Sequence, residues 1–125
     1  MDKLKEISEQ RQKAHNKLLS LESKVYEAFL NMEKVTYSDG ALPKKTKELI
    51  AIGISVVLDC ESCMQWHIEQ AAKAGASEQQ ILEAIEVGIE MAAGRTTVSA
   101  RFALEVMEGI FKESHEDTQK EISVL

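Results

Sequence analysis

Proline occurs once in the chain, at Pro43, and glycine only six times in 125 residues. With so few breakers, and with Ala, Glu, Lys, Leu and Ile abundant, helix is favoured over strand. Basic residues are outnumbered: 15 Lys and Arg stand against 21 Asp and Glu, a net charge of −6. An acidic chain repels phosphate backbones, and no basic stripe with interleaved aromatics offsets this, so no nucleic-acid partner is expected. Long apolar runs are missing as well. The best, Leu49 to Leu58, is far too short to span a bilayer, so no membrane partner is expected. Met1 to Gln10 lacks the apolar stretch of a secretory leader, and the chain reads as cytoplasmic. Cysteine is limited to Cys60 and Cys63. A chain of this length can bury a core without disulfide staples. In a reducing compartment two cysteines are more often catalytic or metal-binding than structural.

What is present is helical periodicity over a single expected domain, residues 1–125. Residues 1–39 hold neither Pro nor Gly. Apolar residues recur there in two heptad series. One is Leu4, Leu18, Val25 and Met32, interrupted by Arg11; the other is Ile7, Ala14, Leu21, Ala28 and Val35. This pattern predicts a long helix, or a helix pair broken near Ser20 and Ser23, that packs along another helix. The stripe fits a core face within one subunit and a subunit boundary equally well. Ser38-Asp39-Gly40 marks a turn, and Pro43 suits the start of the next helix. From Lys44 to Leu58 apolar residues occupy nearly all faces, which predicts burial on most sides, with Gly53 allowing close approach of a neighbour.

Asp59 is the expected N-cap of a helix from about Cys60 to Ala74, with Gly75 as its stop. Ser77 and Gln80 form a capping box for a helix from Glu78 to about Ala93, with Ile81, Leu82, Ile85, Ile89 and Ala92 inward. Gly94 is expected to interrupt it. A last helix, from about Thr96 to Phe111, should bury Ala100, Ala103, Leu104, Met107 and Phe111. Residues 112–125 form a polar tail prone to fraying. The sum is an all-α bundle of about five to six helices.

The chemically informative residues are Glu48 and the segment Asp59-Cys60-Glu61-Ser62-Cys63-Met64-Gln65-Trp66-His67. On one helix, Cys60, Cys63 and His67 stand at i, i+3 and i+7 and share a face. The two sulfurs can then approach disulfide distance, and His67 lies one turn beyond Cys63. A thiol becomes a useful nucleophile as thiolate. The helix N-terminus stabilises that anion, which helps Cys60 more; an imidazole can take the proton, which helps Cys63 more. Glu48, on the preceding helix, could orient His67 or relay its proton. Met64 directly after the second cysteine excludes c-type haem attachment, and two thiolates are too few for a usual iron–sulfur cluster. A zinc site built from Cys60, Cys63, His67 and Glu48 fits by ligand type and number, and stands as an alternative to the redox pair. Trp66 and Met64 read as packing residues.

Glu48, eleven residues, Cys60-x-x-Cys63, three residues and His67 resemble the signature of the alkylhydroperoxidase D-like group within the carboxymuconolactone decarboxylase family. The resemblance runs from about Leu42 to Met107, giving a family core of 42–111, and includes Ala74 to Ser77 and Ala92-Ala93-Gly94. It implies an all-α fold that forms helix-mediated homo-oligomers, trimers or hexamers. It implies an antioxidant peroxidase that reduces hydroperoxides, with Cys63 as the attacking thiolate, Cys60 resolving, His67 the base and Glu48 the relay carboxylate. No bound cofactor is implied; an external dithiol or a protein reductant would be the electron source. Ser62 stands where well-studied members carry a histidine. A redox-sensing module remains an alternative. Lactone decarboxylation does too, although members with that activity lack the cysteine pair.

Overall fold

The structure, a computed structural model, describes the backbone of residues 2–124 and the side chains of residues 2–113. The described residues form five helices and no strand: α1 (Asp2–Ser20), α2 (Lys24–Thr36), α3 (Lys44–Val57), α4 (Glu61–Lys73) and α5 (Glu78–Val124). No helix is long and apolar enough to cross a membrane among these residues.

The N-terminal region is therefore a helix pair. α1 ends at a residue with left-handed backbone, Glu22 at φ 53°. The amides of Glu22 and Ser23 turn back onto the carbonyls of Leu19 and Leu18, satisfying acceptors the helix leaves open. Ser23 then caps α2, its side chain accepting the Tyr26 amide at 3.2 Å. The same device recurs between α3 and α4. Asp59 has φ 53°, and the amides of Asp59 and Cys60 bond to Val56 and Ser55. Cys60 then takes the place that Ser23 holds in α2: it is the N-cap of α4, its sulfur accepting the Cys63 amide at 3.2 Å. This corrects the expected cap. Asp59 closes α3 and Cys60 opens α4, because the left-handed turn at Asp59 leaves the following residue facing the new helix. α4 stops at Gly75, φ 96°, in the same hydrogen-bonding pattern.

Ser77 and Gln80 exchange the two bonds of a capping box, at 3.0 and 3.1 Å, and start α5. The expected break at Gly94 is absent; α5 continues through Val124. One glycine costs a helix about 1 kcal/mol, which is too little to end it without a left-handed turn, and Gly94 has no positive φ. Residues 112–124 of the polar tail lie within this helix. By compactness the chain groups into two units, residues 1–89 and 90–125. The second unit is the remainder of α5. Its side chains from Arg95 to Glu113 are all exposed, so the inward face expected for Ala100, Ala103, Leu104, Met107 and Phe111 is not buried among the described residues.

In the first unit the buried residues lie mainly on α3: Glu48, Ala51, Ile52, Gly53 and Ser55, with Ala71 from α4 and Gly88 from α5. The buried stripe on α3 is narrower than its composition predicts. Ile50 and Ile54 are about half exposed, since none of the described residues covers them. Ser55 satisfies its buried hydroxyl on the Ile52 carbonyl. α5 crosses α3 at paired glycines: a Cβ on Gly88 would sit 2.7 Å from the Gly53 carbonyl oxygen. α1 is tied to α4 by polar contacts along its length. Lys3 pairs with Glu61 at 2.6 Å, and Gln65 donates to the Leu4 carbonyl at 2.8 Å and the Ser8 hydroxyl at 2.9 Å.

Candidate active site

Cys60 and Cys63 are joined as a disulfide, with their Cα atoms 5.2 Å apart. Cap geometry makes this spacing natural: an N-cap side chain folds over the residue three positions on, which is where Cys63 sits. With both sulfurs bonded to each other neither offers a thiolate. Among the described residues no group of three or more His, Cys, Asp or Glu is arranged to hold a metal ion.

His67 follows one helical turn after Cys63. Its Nδ1 lies 2.7 Å from Oε2 of Glu48 on α3. A carboxylate oxygen accepts, so Nδ1 carries the hydrogen and Nε2 is left free to take a proton. The carboxyl group of Glu48 is almost wholly buried, 1% exposed, and its other oxygen accepts from Lys44 Nζ at 3.1 Å. Burial of a charge is tolerated when it is paired and hydrogen-bonded on each side, as here. Lys44 and Glu48 are one turn apart on α3, so a single helix supplies both the acid and its counter-ion. The ring of Tyr37, just past α2, lies 5.1 Å from the His67 ring, and the Lys44 ammonium is 5.7 Å from the centre of the same tyrosine. Burial holds the Tyr37 hydroxyl above its usual pKa, reinforced by the charges of Glu48 and Glu33. It stays protonated beside the imidazole.

A cavity of about 470 Å³ opens over Cys63 and His67. α1 contributes Arg11 and His15, α2 contributes Tyr26, Phe29 and Leu30, and α4 adds Trp66. His15 Nδ1 and the Tyr26 hydroxyl, 2.6 Å apart, join the two N-terminal helices at this wall. Arg11 reaches across to α4: its Nη2 donates to the Ser62 carbonyl at 2.6 Å and to the Ser62 hydroxyl at 2.9 Å. Its guanidinium carbon lies 5.4 Å from the centre of the Trp66 ring. A second cavity, of about 330 Å³, borders Glu48 from the side of Tyr37 and Lys44.

The structure thus places the four residues singled out from sequence at one junction of α3 and α4. Cys60 is at the helix cap rather than within the helix. Sequence reasoning missed Lys44, Tyr37 and Arg11. Lys44 carried a signal, standing four residues before Glu48, and Arg11 carried another as the break in a heptad series. Tyr37 carried none.

Comparison with known proteins gives concordant matches. A family model described as the carboxymuconolactone decarboxylase family matches residues 23–106. An uncharacterized protein of the cox locus of Paracoccus denitrificans is 44% identical over 84 residues, which is 67% of this chain and 76% of that protein. Among solved structures, a carboxymuconolactone decarboxylase family protein from Legionella pneumophila, in its apo form, is 30% identical. It superposes with a TM-score of 0.70, covering 86% of this chain and 96% of that one. A Thermotoga maritima protein of the same family, whose description refers to an antioxidative response, is 27% identical, with a TM-score of 0.63 over 86% of this chain and 91% of its own.

Proposed function

Because the chain belongs to the carboxymuconolactone decarboxylase family and carries a cysteine pair beside a carboxylate-held histidine, we propose that it is a thiol-dependent peroxidase. The observation that carries the reading is the Glu48–His67 contact at 2.7 Å, one helical turn from Cys63. It fixes the ring so that Nε2 can accept the Cys63 proton. The Cys63 thiolate attacks the distal oxygen of a hydroperoxide. The O–O bond breaks, the alkoxide takes a proton from the His67 imidazolium, and Cys63 becomes a sulfenic acid. The Cys60 thiol condenses with it, forming the disulfide and releasing water. An external dithiol or a protein reductant then restores both thiols by exchange. Lys44 and Tyr37 hold Glu48 and the imidazole in place and do not touch the substrate. The relation to the Thermotoga protein with its antioxidative description supports the same class of chemistry. The direct test is consumption of an organic hydroperoxide by the wild-type protein with dithiothreitol as reductant. Turnover that requires both components is expected; the absence of any consumption above the uncatalysed rate would refute the proposal.

The protein acts as a homo-oligomer in this reading. Among the described residues the buried apolar side chains are Ala51, Ile52 and Ala71, while Val25 is 83% exposed and Phe102 is 71% exposed. So little burial is too small a gain against the ordering cost of a chain of this length. Apolar faces on α2 and α5 left open at this scale are what a second copy covers. Sedimentation velocity should show trimers or hexamers at micromolar concentration, and a stable monomer would contradict it.

A further inference from the structure

The cavity over Cys63 is far larger than hydrogen peroxide requires, and one of its walls is cationic. Tyr26, Phe29, Leu30 and Trp66 give it an apolar and aromatic lining, in a volume suited to a small organic molecule. Arg11 is fixed at its edge. One guanidinium nitrogen is held by Ser62, and the Trp66 ring backs the group. Among the described residues no carboxylate forms an ion pair with Arg11. Glu33, the one acid in the lining, also borders the second cavity, beside Tyr37 and Lys44. A guanidinium carries five N–H donors in a planar fork, and the Ser62 contacts use only one nitrogen. The remaining edge matches a carboxylate.

We infer that this cavity binds organic hydroperoxides that carry a carboxylate, with Arg11 holding the anion, the aromatic wall holding the body of the molecule, and the peroxide directed to Cys63. The hydroperoxide part rests on the peroxidase reading above; the anion site can be tested without it. Arg11 lies on α1, outside the segment that matches the family model. It is a specificity residue supplied by the N-terminal helix pair, and this accounts for a charged residue in a heptad series that is otherwise apolar.

The chain has a single tryptophan, and it lies in this cavity. Trp66 also borders the second cavity, so its emission reports a ligand in either, and dependence on Arg11, which lines only the cavity over Cys63, assigns the signal. The oxidised protein would be titrated with 4-isopropylbenzoate and, separately, with the neutral 4-isopropylbenzamide. The acid should bind roughly ten- to hundredfold tighter, the worth of a hydrogen-bonded charge. Arg11→Met should abolish the preference, and Arg11→Lys should retain part of it. Equal affinity for acid and amide, no saturable change in emission with either, or an undiminished preference in Arg11→Met would each overturn the anion site. Since the wild-type comparison needs no variant, a poorly folded Arg11→Met protein does not obstruct the test. The second arm compares cumene hydroperoxide with its para-carboxylated form as substrates. A lower KM for the carboxylated form is expected. Consumption of both with equal kcat/KM refutes the anion site while leaving the peroxidase reading intact. Selective binding of the acid with consumption of neither supports the anion site and refutes the peroxidase reading.

Discussion

Cys63→Ser should lower hydroperoxide turnover by at least about 10³-fold, the scale on which removing a nucleophile disables an enzyme. Cys60→Ser should behave differently. It keeps the attacking sulfur but has no partner to condense with, so a sulfenic acid should accumulate on Cys63 and be captured by dimedone. The geometry supports this order. Cys63 lines the cavity, whereas Cys60 sits at the helix cap with its sulfur facing the Cys63 amide. That amide donates to whatever charge develops at Cys60, which suits the sulfur that leaves as thiolate when an external dithiol opens the disulfide at Cys63. Mass spectrometry of dimedone-treated variants, alongside the consumption assay, separates the outcomes. Full turnover in Cys63→Ser would refute the assignment. A trapped adduct on Cys60 in Cys63→Ser, with none on Cys63 in Cys60→Ser, would exchange the two roles.

Gly88→Ala should destabilise the protein by about 1–3 kcal/mol, the usual cost of overpacking. Two effects oppose each other here. Alanine is the better helix former by about 0.8–1 kcal/mol. The new methyl, however, would lie 2.7 Å from the Gly53 carbonyl oxygen and 3.0 Å from Val56 Cβ. The nearest obstacle is backbone, so it cannot swing aside, and α3 and α5 must separate. The clash prevails. Gly109→Ala provides the contrast, since its Cβ would meet nothing within 4 Å. The midpoint of thermal unfolding should fall for the first variant and not for the second. An unchanged midpoint in Gly88→Ala would show that the helices are less closely packed than the structure places them. Because α3 also carries Glu48, loss of packing at Gly88 should weaken its hold on His67.

Gly53 shows how far the sequence could be read. A glycine in an apolar helix announces close approach, but not which element approaches; Gly88 lies 35 positions away in the chain, and nothing local links the two. The caps were more legible, because their partners are near in sequence. Ser77 with Gln80, and Gly75, each state a boundary in a few residues. Asp59 misled for the same local reason: its residue type suits a cap, but its left-handed backbone makes it the end of one helix instead of the start of the next. Gly94 misled in the opposite way, because a weak helix former was read as a terminator. At the site, the spacing of Cys60, Cys63 and His67 was enough to group them. The approach of Glu48 to His67 followed once consecutive helices were folded back on each other. Arg11 was legible only as the charge that interrupts a heptad series; its place at the site was not, since its 51-residue separation from Ser62 is bridged only by the tertiary fold.

One consequence of the cap at Cys60 concerns energy shared between two equilibria. The same sulfur accepts the first hydrogen bond of α4 and changes its oxidation state. A thiolate is a stronger acceptor than a disulfide sulfur, so the α4 terminus favours the reduced form. By linkage, anything that steadies this turn makes the pair a stronger oxidant, and anything that frays it makes the pair a weaker one. The helix start and the redox couple are therefore one thermodynamic unit, adjustable from sequence positions that never meet a substrate.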